Sequence, residues 1–416
     1  MSSAGDHIRR PTARWRGILV NVALLIGVLL GCALAVEGAA RWMEWRRVRQ
    51  ALRVGHETPP AFLFNPVLGW EMAPKVERRV ARGEFDVVMR TNSRGLRGPE
   101  RSEERPAGVR RVLVLGDSFA AGYYVKDDDM FSAVLERRLA ADGCSPVEVI
   151  SGGVPGYSTD QEYLFYLEKG ARYDPQVVVL MFYYNDLYNN TRPRNGMGEP
   201  KPLFEVEDGR PVLKNVPLAP LAGTGAAGGE GAATKVERLP PWRGSLALRL
   251  LARRTERGNP RLHRALAAMG LVPPLVSRPH EELFVFGPSP DVPPMWRLET
   301  ALLAALKKET EARGAQLIVL YVPVRFEVND QVWKLTRERY ELGRKWRPEK
   351  VAERLRAACD ALGIRLVDPR SGLRRAESSS QPAYFTYDVH WTARGNAIAA
   401  ENAAPAVRRA LACPGR

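Results

Sequence analysis

The feature of this sequence that most constrains its fold is a regular alternation of short apolar segments and helical patterns, which begins at Arg111. Continuous apolar runs of this length are typical of strands that are buried on both faces of a sheet. The sequence therefore predicts an α/β fold, in which helices cover both faces of a parallel sheet. The predicted strands are 111–116, 147–150, 176–182, 316–322 and 364–367.

The segments between and after these strands predict the covering helices. Ser158 followed by Gln161 matches a capping box, which places the start of the second helix at Ser158. The other helices are expected at about 130–141, 297–313, 348–362 and 393–411. Before the sheet, residues 65–100 alternate apolar and polar positions with turn residues between them. This pattern predicts a small β extension of two or three strands.

The interruption at 191–294 is rich in proline and glycine and predicts an insertion into the main domain. Helical patterns at 245–254 and 261–269 predict a small helical cap within it. The glycines at 223, 225 and 228 match G-x-G-x-x-G, but neither a strand nor a helix flanks them, so a flexible linker is the favoured interpretation.

Chemically active residue types follow the predicted strands. Ser118 follows the first strand, Gly153 the second and Asn185 the third, and Asp388 and His390 precede the last helix. In parallel sheets, ligands bind beyond the carboxyl ends of the strands. A serine, a histidine and a carboxylate are the parts of a nucleophilic triad, and a glycine N–H and an asparagine amide suit an oxyanion. Each motif alone has an ordinary explanation as a turn, whereas the four in this order predict a catalytic site.

These four motifs together resemble the conserved blocks of the SGNH (GDSL-type) hydrolase family. The motifs are GDSF at 116–119, GGVPGYST at 152–159, YYNDL at 183–187 and DVHWT at 388–392. The resemblance extends over about 62–190 and 295–412. It implies a flavodoxin-like three-layer α/β/α sandwich, in agreement with the alternation of strands and helices.

The resemblance also implies a role for each motif residue. Ser118 would be the nucleophile, with Asp388 and His390 as the acid that orients the base and the base itself. The N–H groups of Ser118 and Gly153 and the side chain of Asn185 would form the oxyanion hole. No cofactor and no metal ion are expected.

Two positions depart from the family pattern. The usual last block is Asp-x-x-His, whereas only Val389 separates the acid from the base here. On an extended backbone, residues two apart point the same way, so both side chains could still face Ser118. Related sequences often carry asparagine at the position of Ser151, which leaves the hydrogen bonding behind Gly153 open.

Three functions are compatible with this sequence. The order of the motifs favours a serine esterase or deacetylase that acts on an acylated extracellular glycan or another ester. The D-x-H-W-T form also resembles segments of bacterial polysaccharide O-acetyltransferases, which would use the same triad. A catalytically silent, membrane-anchored protein for glycan binding or assembly is the alternative from another class.

Two further residues are candidates for contacts with the substrate. Tyr184 belongs to an aromatic cluster that could stack on a sugar ring, although alternate members of the cluster are expected to face the core. Arg325 lies in the segment 321–333, which follows a strand end and is expected to border the cleft. A surface loop without contact to substrate is the slightly favoured interpretation of this segment.

An apolar run at 18–36 predicts a membrane-spanning helix, since such a helix needs about 20 apolar residues. Arginines flank the run on both sides, so charge alone does not orient it. The predicted organisation is a single pass through the bacterial inner membrane with a periplasmic catalytic domain. Cys32 in LLGC offers the alternative of a lipoprotein.

The predicted segments are a cytoplasmic tail (1–16), an anchor (17–37), a helical stalk (38–60), the β extension (61–105) and the hydrolase domain (106–412).

The formal net charge of +15 could suit nucleic acid or an anionic surface. The basic residues are scattered and no nucleic-acid-binding motif accompanies them, so no nucleic-acid partner is expected. Anionic lipid headgroups or an acidic glycan are the expected counterparts of the charge.

The 4 cysteines form no C-x-x-C pair. Outside the apolar run lie Cys144, Cys359 and Cys413, which allow at most one internal disulfide.

Overall fold

The computed structural model of this chain describes residues 12–52, 61–82, 84–196, 198–220, 245–272 and 281–414. These residues divide into two compact units. One unit contains 12–52 and 245–272, and the other contains the remaining described residues.

The strands and helices are numbered in chain order. The strands are β1 (Phe62–Asn65), β2 (Gly69–Met72), β3 (Glu77–Arg82), β4 (Phe85–Arg90), β5 (Arg110–Gly116), β6 (Val147–Ser151), β7 (Val177–Tyr183), β8 (Phe204–Glu207), β9 (Arg210–Leu213), β10 (Gln316–Val322) and β11 (Arg365–Val367). The helices are α1 (Thr12–Leu52), α2 (Phe131–Leu139), α3 (Thr159–Glu168), α4 (Asn185–Asn189), α5 (Leu246–Gly258), α6 (Pro260–Ala268), α7 (Val292–Glu311), α8 (Arg325–Val328), α9 (Asp330–Tyr340), α10 (Lys350–Leu362), α11 (Arg370–Glu377) and α12 (Ala393–Ala410).

A 5-stranded parallel sheet forms the centre of the larger unit. Its strands lie in the order β6-β5-β7-β10-β11. This is the flavodoxin-like order, in which the first strand in sequence is flanked by the second and the third. The predicted parallel sheet and its strands are therefore confirmed. The strand order reverses next to β5, so a crevice opens at the carboxyl ends of β5, β6 and β7.

Alternate residues of the strands face two separate cores. Leu113 and Leu115 of β5 pack with α3, α7 and α10 on one face of the sheet. Val112 and Val114 pack with α2, α11 and α12 on the other face. Because both faces are covered, every position of β7 is buried, which explains its uninterrupted apolar sequence. The three-layer α/β/α sandwich is confirmed.

The β extension contains four strands, not two or three, arranged as two antiparallel hairpins, β1–β2 and β3–β4. In the second hairpin, Glu77 pairs with Arg90 at the open end and Arg82 with Phe85 at the turn. The burial of Leu68, Trp70 and Met72 joins the first hairpin to the core that contains α3 and α7.

The predicted capping box of α3 is wrong. The hydroxyl of Ser158 donates to Oδ1 of Asp160 at 2.8 Å instead of accepting from the helix. The side chain of Gln161 donates to the carbonyl oxygen of Leu68 at 2.7 Å. Asp160 in turn pairs with the buried ammonium group of Lys201. Tertiary partners have therefore replaced the local hydrogen bonds that the sequence pattern predicts.

The segment 321–333, for which a surface loop was slightly favoured, is helical beyond the end of β10. It contains α8 and the start of α9, and Phe326 and Val328 are buried. The side chain of Asn329 accepts a hydrogen bond from the N–H of Val332 and thereby caps α9. The loop interpretation of this segment is therefore wrong.

The described parts of the insertion contain more order than a linker. The hairpin β8–β9 was not predicted, whereas α5 and α6 match the two predicted helices; their role as a cap stays a prediction. The glycine-rich stretch with the G-x-G-x-x-G match lies outside the described residues.

In the smaller unit, α1 includes one stretch, Val20–Met43, that is long and apolar enough to cross a membrane; a signal sequence near the amino terminus would meet the same criterion. Within this unit, the carboxylate of Glu37 accepts hydrogen bonds from the hydroxyl of Ser245 and from the N–H groups of Leu246 and Ala247. An acidic side chain thus caps the amino end of α5. The predicted stalk is helical up to residue 52, and 53–60 lie outside the described residues.

Cys144 and Cys413 form a disulfide, which accounts for the single bond that the cysteine count allows. It joins the chain just before β6 to the segment that follows α12, across 269 residues of sequence. Cys359 is buried and unpaired, and Cys32 is exposed on α1.

Candidate active site

The turn that presents Ser118 begins where β5 ends. Gly116 has a φ of +152°, and a Cβ atom there would lie 2.7 Å from Cβ of Ala120, so a side chain at this position would collide with the turn. After it the chain coils, since the N–H of Ala121 donates to the carbonyl of Asp117 at 3.0 Å and that of Tyr123 to Ser118 at 2.9 Å. The side chain of Ser118 is thereby presented at the carboxyl edge of the sheet.

His390 and Asp388 lie next to Ser118. Nε2 of His390 is 2.7 Å from Oγ of Ser118, and Nδ1 of His390 is hydrogen-bonded to Oδ1 of Asp388. The side chains of His390 and Asp388 are mostly buried, with exposed fractions of 13% and 24%. Such a chain of hydroxyl, imidazole and carboxylate can remove a proton from the hydroxyl and stabilise the charged imidazole that results.

The local backbone explains how residues two apart can be partners. The chain at Asp388 and His390 is bent, not extended as expected. The N–H of His390 donates to Oδ1 of Asp388 at 3.0 Å, so the carboxylate closes a turn around its own loop. The loop is anchored immediately afterwards, where Thr392 caps α12 by accepting from the N–H of Gly395.

Aromatic rings surround the imidazole of His390. The rings of Phe119, Tyr123 and Tyr124 have their centroids 5.0, 5.7 and 5.3 Å from it. Tyr124 has a φ of 70°, an uncommon conformation for a bulky residue. The two tyrosines were not predicted as site residues, although they follow the GDSF motif in the same turn.

Gly153 and Asn185, the predicted oxyanion donors, lie next to residues of the turn that presents Ser118. A Cβ atom on Gly153 would lie 2.3 Å from the nitrogen of Ala121, so the backbone of Gly153 lies against the turn that presents Ser118. Among the described residues, no acceptor is hydrogen-bonded to the N–H of Gly153 or of Ser118. Asn185 begins α4 directly after β7, and its side chain lies near Asp117, where it helps to lower the pKa of that carboxyl.

Ser151 resolves the question of what supports this turn. Its buried hydroxyl donates to the carbonyl oxygen of Ala120 at 3.0 Å. The carbonyl of Gly116 accepts from the N–H of Val154 at 3.0 Å, just beyond Gly153. Serine at this position therefore ties the end of β6 to the turn after Ser118.

Asp117 is buried beneath the site. Burial raises the pKa of its carboxyl to about 6, although the N–H of Phe119, the nearby His390 and the side chain of Asn185 oppose the shift. Other buried carboxyl groups lie in the same region. Burial raises the pKa of Glu299 to about 8, and it also raises that of Asp186, which accepts from the N–H of Tyr183 at 3.0 Å.

The two candidate substrate contacts have partners within the protein. The ring of Tyr184 packs against Tyr183 and Phe286 at 4.7 and 5.4 Å between centroids. Arg325 donates from Nε to Glu377 at 2.8 Å and from Nη1 to the carbonyl of Phe385 at 3.1 Å. Contact of Tyr184 or Arg325 with a substrate stays a prediction.

Within the described part of the chain, no group of three or more His, Cys, Asp and Glu side chains could hold a metal ion.

Comparison with known proteins gives the family. The model of the GDSL-like lipase/acylhydrolase family matches residues 114–398, which is more than half of the chain. No curated protein sequence matches this chain significantly.

Comparison with solved structures finds similarities at low sequence identity. TesA is 12% identical, with 72% of this chain and 99% of that chain covered and a TM-score of 0.37. An acetylxylan esterase from Geobacillus stearothermophilus, solved as a catalytic mutant, is 13% identical, with 74% and 96% covered and a TM-score of 0.36. The esterase EstA from Pseudoalteromonas is 9% identical, with 73% and 99% covered and a TM-score of 0.34. On the family match, this chain belongs to the GDSL-like lipase/acylhydrolase family of ester-acting hydrolases.

Proposed function

We propose that this protein is a serine esterase in which Ser118 is the nucleophile, His390 the general base and Asp388 the acid that orients the base. The observation that carries the proposal is the unbroken chain of contacts from the hydroxyl through the imidazole to the carboxylate. The distance of 2.7 Å between Nε2 of His390 and Oγ of Ser118 is within the range needed for proton transfer.

In the proposed reaction, Oγ of Ser118 attacks the ester carbonyl carbon while Nε2 of His390 takes the hydroxyl proton. Asp388 stabilises the imidazolium. The oxyanion receives hydrogen bonds from the N–H groups of Ser118 and Gly153 and from the amide of Asn185. Collapse breaks the carbon–oxygen bond of the ester, and the alcohol leaves with the proton from His390. A water molecule, deprotonated by the same imidazole, then releases the acid and restores Ser118.

Asp117 supports this oxyanion hole by holding Asn185. An asparagine amide carries two N–H bonds, so one can be used by the carboxyl of Asp117 while the other serves the oxyanion. In this proposal, the buried carboxyl of Asp117 orients the amide before a substrate arrives. A donor that needs no reorientation during the reaction stabilises charge most effectively.

We propose an acylated glycan as the substrate class, with a short acyl chain on a sugar hydroxyl. The support is the rim of the site, where Tyr387 and Val389 flank Asp388 with exposed fractions of 69% and 56%. Together with Tyr123 and Tyr124, they offer apolar faces on which a sugar ring can pack. Ligand sites commonly combine such apolar walls with a few polar groups that fix orientation.

We propose that α1 anchors the protein in the bacterial inner membrane and that the catalytic domain lies on the periplasmic side. The support is the apolar stretch Val20–Met43 together with the disulfide between Cys144 and Cys413, because disulfides persist in oxidising compartments. Protease added to spheroplasts is expected to degrade the catalytic domain, whereas intact cells protect it. Protection in spheroplasts would contradict the proposed orientation.

The decisive experiment is an assay of the detergent-solubilised full-length chain on p-nitrophenyl esters of increasing acyl length, combined with labelling by a fluorophosphonate. We expect wild-type protein to hydrolyse short-chain esters and to be labelled, and Ser118→Ala to do neither. Ser102→Ala removes an exposed hydroxyl outside the site and is the matched control. Wild-type turnover by Ser118→Ala would refute the assignment.

A second arm of this assay adds a soluble oligosaccharide. A hydrolase releases free acid at the same rate, whereas an O-acetyltransferase transfers the acyl group to the sugar and shows an acylated product. If the wild-type protein shows no hydrolysis, no transfer and no labelling, this result would favour the catalytically silent alternative.

A further inference from the structure

The hairpin β3–β4 reaches the loop that carries Asp388 and His390, although it lies outside the part of the chain matched by the family model. Glu84 lies at its turn. The carboxylate of Glu84 accepts a hydrogen bond from the N–H of Thr386 at 2.6 Å and another from the N–H of Tyr387 at 2.7 Å. Both contacts lie within four residues of His390.

Arg325 also holds this loop, through its backbone carbonyl groups. The guanidinium donates from Nη1 to the carbonyl oxygens of Phe385 and Thr386 at 3.1 and 3.5 Å, and it is itself fixed by Glu377. Thr386 therefore has its N–H bound to an anionic side chain and its carbonyl near a cationic one. Hydrogen bonds to charged groups are stronger than neutral ones, so the backbone is constrained just before Asp388.

The β extension also holds the loop that follows Ser118. The guanidinium of Arg97 is buried and donates to the carbonyl oxygens of Ala121, Gly122 and Val125 and to the carboxylate of Asp127. This loop includes Tyr124, whose φ of 70° is retained because the neighbouring carbonyl groups are fixed.

Phe85, next to Glu84, connects the two loops directly. Its ring stacks on Tyr124 with 4.0 Å between centroids and 13° between planes. It also meets Phe385 edge to face at 5.2 Å. A single turn of the hairpin therefore contacts the loop of the hydroxyl and the loop of the imidazole.

We propose that the hairpin β3–β4 is part of the active-site architecture and that Glu84 is a positioning residue for His390. It touches neither the reacting atoms nor the substrate in this proposal; it acts through the backbone of Thr386 and Tyr387. This inference rests on the proposed esterase function. An error of about 1 Å in the placement of a reacting group can lower the rate by about 10²-fold, so support of the His390 loop by Glu84 is expected to affect kcat.

The test compares Glu84→Ala and Glu84→Gln with wild-type full-length protein on p-nitrophenyl acetate. Alanine removes both acceptors, whereas glutamine keeps one acceptor oxygen and places an amide opposite the other N–H. We expect kcat to fall by about 30- to 100-fold for alanine and by about 10-fold for glutamine, with KM within about twofold. Fluorophosphonate labelling should slow in parallel, because it also needs the aligned hydroxyl and imidazole.

Asp86→Asn is the matched control on the same hairpin. Asp86 pairs with Arg79 on the surface, with Nε to Oδ1 at 2.7 Å, and contacts neither loop. Its kcat should stay within about twofold of wild type, and thermal unfolding of all variants should show one transition. If Glu84→Ala shows no such unfolding transition, the variant is not folded, and the test then rests on the kcat of Glu84→Gln.

A kcat for the folded Glu84 variants within twofold of wild type would overturn the proposal, as would an equal loss in Asp86→Asn. A wild-type protein without esterase activity or labelling is a different result, since it refutes the proposed function itself.

Discussion

Nε2 of His390 lies 2.7 Å from Oγ of Ser118, although 272 residues separate the two in the sequence. Ser118 follows β5 and His390 precedes α12, and the contact depends on how α12 packs against α2. A hydrogen bond of 3.2 Å from the N–H of Phe131 to the side chain of Asn396 joins the amino ends of these helices. The docking of the last helix therefore brings the imidazole to the hydroxyl.

The first prediction concerns the carboxylate of Asp388. Asp388→Asn keeps the shape of the side chain but removes the charge that stabilises the imidazolium and orients the ring. We expect kcat to fall by about 10³- to 10⁴-fold, as in other triads. Asp330→Asn, which changes an exposed carboxylate paired with Arg374, is the control. A loss of less than tenfold would show that Asp388 is not the orienting acid.

The second prediction concerns the amide of Asn185. Asn185→Ala removes a proposed oxyanion donor, so we expect kcat for p-nitrophenyl acetate to fall by about 10²- to 10³-fold. Asn189→Ala, one turn further along α4, should retain activity within about fivefold. Equal activities of the two variants would remove Asn185 from the oxyanion hole.

The third prediction concerns the close approach at Gly153. A methyl group there would lie 2.3 Å from the nitrogen of Ala121 and 2.5 Å from the carbonyl carbon of Ala120. Gly153→Ala must displace the backbone that follows Ser118, so we expect a loss of about 10²-fold or more in kcat. Gly343→Ala is the matched control, because a Cβ there meets no atom within 4 Å and the backbone is not in the left-handed region. Wild-type kinetics of Gly153→Ala would contradict the observed packing.

The fourth prediction is a dependence of stability on pH. Burial raises the pKa of Glu299 to about 8 in the folded protein, above the value of about 4.3 in an unfolded chain. The unfolded state therefore loses this proton first as the pH rises. The stability linked to this protonation is present below pH ~4 and is lost between pH ~4 and ~8.

Glu299→Gln keeps hydrogen-bonding atoms for Thr159 and Asn190 but does not titrate. Relative to wild type, its free energy of unfolding should increase with pH, by about 5 kcal/mol at most above pH ~8. Urea unfolding at several pH values measures this difference. Glu311→Gln, which changes an exposed carboxylate on the same helix, should show no such trend. A difference that is independent of pH would refute the assignment.

The fifth prediction concerns the disulfide. Replacing Cys144 and Cys413 by serine should lower the free energy of unfolding by about 2–5 kcal/mol, since the bond restricts the unfolded chain. Urea titrations with and without dithiothreitol test this. Reductant should destabilise the wild-type protein and leave the double variant unchanged. Equal effects on both proteins would show that the bond contributes little.

Much of the fold was predictable because buried strands have an unmistakable pattern. The run 176–182 has no polar residue after Gln176, and it became β7 with only a one-residue shift at its boundaries. The capping box at Ser158 failed because Asp160 and Lys201 offered buried ionic partners that no local pattern reveals. Local rules predict elements well where tertiary contacts do not compete with them.

The candidate site was predictable where its residues follow strand ends, and less so elsewhere. Ser118, Gly153 and Asn185 lie at neighbouring strand ends, which the alternation of elements places together. Glu84 could not be found in this way, because its contact with Thr386 spans 302 residues and has no periodic signature. The pairing of Cys144 with Cys413 likewise depends on where α12 ends relative to β6.

The turn at Asp388 has a mechanical consequence. Because one oxygen of the Asp388 carboxylate binds both the imidazole and the backbone of His390, the two side chains form a single rigid pair. Any swing of that loop moves the two together and changes only their separation from Ser118. Of the two contacts that join Asp388, His390 and Ser118, such a movement changes only the one between His390 and Ser118.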